Sequence, residues 1–145
     1  MKRPLRLFVA ACVLAAASAC TTDDPTAVTS IPLIPTNPNV DTFSGTAPVG
    51  GRDTKVFSVL LSNGGLDITL TATSQPVVAG LGAGTWDGTT CTLGTNATRN
   101  VSAGSTPQLS FTQVPTGDYC VQVFDPGTPS SFPSPVNYTV NVAHY

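Results

Sequence analysis

The residues of this chain with chemistry to offer are four cysteines, one histidine and eight aspartates. Cys91 and Cys120 are the cysteines that fall within the folded body. In an oxidising compartment, two thiols in one small domain are expected to pair as a disulfide. A structural zinc site needs four ligands, and two cysteines with one distant His144 fall short of it. His144 stands one residue from the last and is expected as a solvated or edge residue rather than a general base. Glutamate is absent from the chain. There is no Gly-x-Ser-x-Gly turn and no carboxylate pair at a motif spacing. A fold could still gather distant aspartates into a hydrolytic or metal-dependent site, which is the alternative to a non-catalytic domain.

No cofactor is expected. Calcium is the one ion for which the residue types are present, because Asp41, Asp53, Asp87, Asp118 and Asp125 mostly fall near predicted turns and calcium takes carboxylate and carbonyl oxygens. No Asp-x-Asp-x-Asp-Gly loop occurs, so these residues are expected instead to cap their own backbone turns. Trp86, flanked by Gly84, Thr85, Asp87 and Gly88, offers a stacking face for a sugar ring or an anchor for a partner protein. Phe132, in the proline-rich stretch 125–135, is the second candidate for that ligand surface. An indole covering one open end of the core is the structural alternative for Trp86.

The amino terminus sets the address. Residues 1–19 show a basic start at Lys2, Arg3 and Arg6, an apolar stretch from Leu7 to Ala17 and small residues before Cys20, which is a secretory signal pattern. The run Ala16-Ala17-Ser18-Ala19-Cys20 resembles the bacterial lipoprotein signal, in which cleavage before the cysteine is coupled to its lipidation; Ala17 stands where that signal usually has leucine. The resemblance implies a lipid anchor on Cys20, attachment to a membrane of the bacterial cell envelope, and loss of Cys12 with the signal. Residues 20–40 then read as a tether. They are polar, punctuated by Pro25, Pro32, Pro35 and Pro38, and show neither strand nor helix periodicity.

From Cys20 onward, three bases (Arg52, Lys55, Arg99) face eight aspartates, a net charge of −5. Nucleic acid is excluded as a partner, since phosphate binding needs clustered Lys and Arg.

The elements that must position these residues are strands. Thirteen glycines and thirteen prolines, with abundant Thr, Ser and Val, disfavour helices. Residues 66–73 alternate most cleanly, with Leu66, Ile68, Leu70 and Ala72 against Asp67, Thr69, Thr71 and Thr73. Residues 55–62 place Phe57, Val59 and Leu61 on one face, and Asn63-Gly64-Gly65 supplies a tight hairpin to the next strand. Residues 117–124 alternate Tyr119, Val121 and Val123 with Cys120, Gln122 and Phe124. Residues 136–143 alternate Val136, Tyr138, Val140 and Val142 with polar neighbours. Shorter runs fall at 77–81, 91–93, 96–101 and 109–114, and the glycines around Trp86 predict a flexible loop. The pattern predicts an all-β, antiparallel β-sandwich of jelly-roll type, seven or eight strands within residues 41–145.

In chain order, Phe57-Ser58-Val59, the run from Leu66 to Leu70, Gly117-Asp118-Tyr119-Cys120-Val121-Gln122-Val123 and Tyr138-Thr139-Val140-Asn141-Val142 resemble the bacterial pre-peptidase C-terminal domain family. That resemblance implies a β-sandwich that accompanies secreted enzymes as a non-catalytic module. The expected function is therefore binding of an envelope protein or glycan by a lipid-anchored module.

Overall fold

The computed structural model describes residues 37–145. The signal, Cys20 and most of the tether lie outside the described residues. Eight strands follow: β1 (Asn39–Ala47), β2 (Arg52–Val59), β3 (Gly64–Thr73), β4 (Ala79–Trp86), β5 (Cys91–Val101), β6 (Leu109–Val114), β7 (Gly117–Phe124) and β8 (Val136–His144). They form two antiparallel four-stranded sheets, ordered β1-β8-β3-β6 and β2-β7-β4-β5. The pairs β1 with β8, β2 with β7, β3 with β6 and β4 with β5 are those of one long antiparallel ribbon doubled back at residues 87–90. Rolling that ribbon creates the added pairs β3 with β8 and β4 with β7, which is jelly-roll topology.

Side chains alternate across each strand, so every second residue reaches the space between the sheets. On β8 these are Val136, Tyr138, Val140 and Val142; on β3, Leu66, Ile68 and Leu70; on β7, Val121 and Val123, all buried in one core. Ala72 departs from the expected inward set. A register shift between Leu70 and Ala72 breaks the alternation, and Ala72 is exposed.

Three local expectations are corrected. Residues 60–63 do not make a hairpin, because β2 and β3 belong to different sheets and the turn crosses between them. Leu61 lies in that turn, beyond the end of β2, and is 47% exposed rather than inward. β1 begins at Asn39, so two residues assigned to the tether belong to the sheet; they pair with Ala143 and His144.

The glycines before Trp86 are strand rather than loop. On the outer face of β4, a Cβ at Gly80 would overlap the Phe124 ring, and one at Gly84 would overlap the Thr92 carbonyl of β5. Glycine is there because neighbouring groups close over β4 at those positions.

The strand register defines two ends. Asn39, His144, the 60–63 turn, Trp86 with Cys91, and Gly117 lie at the end where the chain arrives from Asn37, here termed proximal. The 48–51 turn and the loop 125–135 meet at the distal end, where the Asp125 amide donates to the Gly51 carbonyl at 2.9 Å.

Candidate functional site

The cysteines pair as expected. Cys91, at the start of β5, is bonded to Cys120, in β7, with Cα atoms 5.8 Å apart. β4 lies between those strands in the sheet order, so the bridge requires β5 to close over β4, and Gly84, paired with Cys120, is where it does so. The disulfide thus fastens the tip of the rolled ribbon to an interior strand. Tyr119, the preceding residue, points to the opposite face and stacks on Phe57 with ring centroids 5.9 Å apart. Its hydroxyl donates to the Pro115 carbonyl at 2.9 Å, an arrangement akin to the tyrosine corner of other sandwiches. Burial pushes its ionisation upward.

Trp86 ends β4 opposite Cys91 and is half-buried. Phe132 does not share a surface with it. The ring is 3% exposed and packs into the core, while its amide donates to Asp125 Oδ2 at 3.1 Å. It plugs the distal end of the sandwich, whereas Trp86 is proximal. The apolar payload of an aromatic ring explains the outcome, because the strand-free loop 125–135 needs a buried anchor to lie against the sheets.

His144 is also corrected, being 5% exposed rather than solvated. It occupies the last inward position of β8, stacks on Phe57 at 5.9 Å, and places Nε2 3.1 Å from Asp41 Oδ2. The carboxylate accepts there, which puts the ring proton on Nε2. Asn39 Nδ2 lies 3.3 Å from the same nitrogen.

The aspartates of the described residues are dispersed, and Asp41, Asp53, Asp87, Asp118 and Asp125 have separate partners. Asp87 Oδ1 accepts from the Thr89 and Thr90 amides at 2.8 and 2.6 Å, and these bonds hold its carboxyl below the usual aspartate range. Asp125 accepts from the Gly50, Gly127 and Phe132 amides, with the same downward effect, the Gly50 bond leading. Asp118 accepts from the Ser58 hydroxyl at 2.6 Å. Asp53 accepts from the Tyr138 hydroxyl at 2.9 Å and pairs with Lys55 at 3.2 Å. Among the described residues, no three His, Cys, Asp or Glu side chains converge as a metal site.

What the sequence did not reveal is a groove at the open edge of the sandwich. β5 and β6 are the outer strands of their sheets on this side, and a depression of about 430 Å³ lies between them. Its floor is apolar, formed by Leu66, Ala83, Ala97, Phe111 and Val114, with Leu93 and Tyr119 at its walls. Threonine hydroxyls from Thr92, Thr95 and Thr112 line its rim. Volume and lining both fall within the range of ligand sites, which are mostly apolar with a few polar groups for orientation. The run 109–114 was expected as a strand, but nothing in one strand says what will face it.

No protein-family model matches the chain, and no curated protein matches it as a relative. The likeness to the pre-peptidase C-terminal family therefore rests on the strand motifs. Among the described residues no helix is long and apolar enough to cross a membrane.

Proposed function

We propose that this chain is a non-catalytic module of the bacterial cell envelope, lipid-anchored through Cys20, that binds an apolar segment of an envelope protein in the groove between β5 and β6. The observation that carries the reading is the groove itself: about 430 Å³, floored by Leu66, Ala83, Phe111 and Val114 and rimmed by neutral hydroxyls. Such a lining favours apolar side chains with hydrogen bonds at the rim, and it gives little to hold a glycan, whose hydroxyls need polar partners along their length. Trp86 lies outside this lining and offers a second contact at the proximal end. The dispersal of the aspartates supports the non-catalytic part, since Asp53, Asp87, Asp118 and Asp125 are engaged in different turns or pairs.

The test is capture of envelope proteins by the mature chain, compared with Thr95→Trp. Thr95 is an exposed rim residue, so an indole there obstructs the groove without entering the core. Capture of the same partner should fall by about tenfold or more, equivalent to roughly 1.4 kcal/mol, with the melting temperature unchanged. Trp86→Ala run in parallel reports whether the partner extends to the proximal end. Undiminished capture by Thr95→Trp would remove the groove from the reading. Substrate turnover by the purified chain, abolished by one Asp→Asn change, would replace the module with an enzyme.

A further inference from the structure

The turn between β2 and β3 carries an apolar pair that the fold leaves uncovered. Leu60 is 80% exposed and Leu61 is 47% exposed, and they are consecutive at the tip of a turn that closes with Asn63 in a left-handed conformation, φ 65°. Solvating two leucines in a turn is unfavourable, and most residues that could replace them would cost the fold nothing, because neither belongs to the buried core. They flank a depression of about 530 Å³ whose other walls are Asn37, Pro38 and Tyr145. Asn39 also lines it, and among the described residues the one ionisable side chain there besides tyrosine is His144, which is buried against Asp41.

Where this patch sits decides what covers it. Pro38 and Asn37 are the first described residues of the chain, so the segment running back to Cys20 leaves the domain from the wall of the same depression. Sixteen residues separate Cys20 from Asn37, a reach of at most about 55 Å when fully extended. An anchor on Cys20 therefore keeps the leucines within reach of the bilayer surface, at an effective concentration that makes even a small apolar contact productive. Among the described residues the wall has no basic side chain, so the contact these residues make is apolar and independent of anionic headgroups.

We infer that Leu60 and Leu61 form a membrane-seating tip, which inserts into the bilayer interface and holds the proximal end of the sandwich toward the membrane. This rests on the anchored reading of Cys20. Seated in that way, the domain presents its distal end, with the 48–51 turn, to the aqueous side.

The experiment uses the full chain, lipidated as the cell makes it, in phosphatidylcholine vesicles whose acyl chains carry bromine. Leu60→Trp is compared with Val49→Trp, each combined with Trp86→Phe so that one indole reports. Val49 is an exposed residue of the distal turn and serves as the reference. The expected result is blue-shifted emission and strong bromine quenching for Leu60→Trp, with neither for Val49→Trp, in vesicles free of anionic lipid. Equal quenching at the two positions, or water-exposed emission from Leu60→Trp, overturns the inference. Blue-shifted but unquenched emission also overturns it, because protein then covers the patch, either the segment before Asn37 or a second copy of the chain. A chain that separates from the vesicles and shows an unmodified Cys20 by mass spectrometry refutes the anchor, a failure distinguishable from that of an anchored chain whose tip stays in water.

Discussion

The Tyr138 hydroxyl, on β8, donates a 2.9 Å hydrogen bond to Asp53 Oδ2, on β2, and so joins one sheet to the other through the core. Burial is the main reason that the phenol ionises well above its ordinary range, and the adjoining Asp53 carboxylate adds to it. Tyr138→Phe removes the bond but leaves Asp53 its contact with Lys55, so the expected loss of stability is about 1 kcal/mol. The pH dependence follows from the sign of the shift. A tyrosine whose folded pKa is raised keeps its proton while the unfolded chain loses it, so stability is intact below about 10 and declines as pH rises further. Chemical denaturation at pH 7 and pH 11 should show this alkaline loss in the parent and a smaller loss in Tyr138→Phe. Equal loss in both would mean that Tyr138 is not the group responsible.

Gly45 makes room for that bond. A Cβ there would overlap both Asp53 Oδ2 and the Tyr138 hydroxyl. Gly45→Ala is expected to cost roughly 1 to 3 kcal/mol as an overpacking change. Combined with Tyr138→Phe, which removes one of the three close atoms and leaves Asp53 Oδ2 and the ring carbon Cζ, the cost should fall short of the sum of the single effects. Strict additivity in urea titrations would show that the alanine methyl is accommodated elsewhere.

The Cys91–Cys120 bridge closes a separation of 29 residues, which on the chain-entropy estimate contributes roughly 3.5 kcal/mol. Cys91→Ser with Cys120→Ala should lower the unfolding midpoint accordingly. Alanine is chosen at position 120 because that side chain is fully buried and a serine hydroxyl would add a polar group to it. A midpoint unchanged within error would show that Gly84 and the β4–β5 pairing fix the ribbon tip without the bridge.

Asp125 ties the 48–51 turn to the loop that carries Phe132, through the Gly50, Gly127 and Phe132 amides. Asp125→Ala should increase hydrogen exchange at those three amides and leave β3 and β8 protected. Because the folded pKa is depressed, the contribution is present above about 4 and is lost as pH falls through the folded value. Exchange at Gly50 and Phe132 should therefore rise on acidification in the parent, after correction for intrinsic rates, and be flat in Asp125→Ala. The reverse pattern would place the anchor of this loop elsewhere.

The anchor is checked directly. In the membrane fraction, the amino-terminal peptide should begin at a lipid-modified Cys20, and Cys20→Ser should release the chain from membranes. Protein beginning at Met1, or an unmodified Cys20, would contradict it.

Much of the fold was legible where one face of a strand is buried and the other wet. β8 and the first part of β3 show this, as does β6, whose bounds matched the expected run 109–114. β1 was not legible, because its inward positions are Asn39, Asp41, Phe43, Gly45 and Ala47, and only two of these carry an apolar side chain. β4 read as a loop because glycine is depleted in strands; of the groups that close over it, Phe124 is distant in sequence, and the approach of the neighbouring β5 backbone leaves no mark in the strand pattern. The Cys91–Cys120 pair could be found by counting thiols. The groove could not, since its lining is drawn together from β3, β4, β5, β6 and β7, and no single strand's pattern contains that assembly. Phe132 misled for a related reason: a proline-rich loop reads as exposed, yet its one aromatic ring is what holds it down.

The pairing of β1 with β8, from Asn39 with His144 to Ala47 with Val136, has a kinetic consequence. The first strand of the domain has its only ladder partner at the far end of the chain, and β2 likewise waits for β7. A chain that emerges amino terminus first from a ribosome or a translocation channel can complete the β2-β7-β4-β5 sheet only once β7 is free and the β1-β8-β3-β6 sheet only once β8 is free, since non-local pairings bear the full closure entropy before they are rewarded. Such a topology delays its own folding. If the chain is exported as proposed, that delay keeps the polypeptide threadable and leaves sheet closure and oxidation of Cys91 with Cys120 to the compartment it reaches.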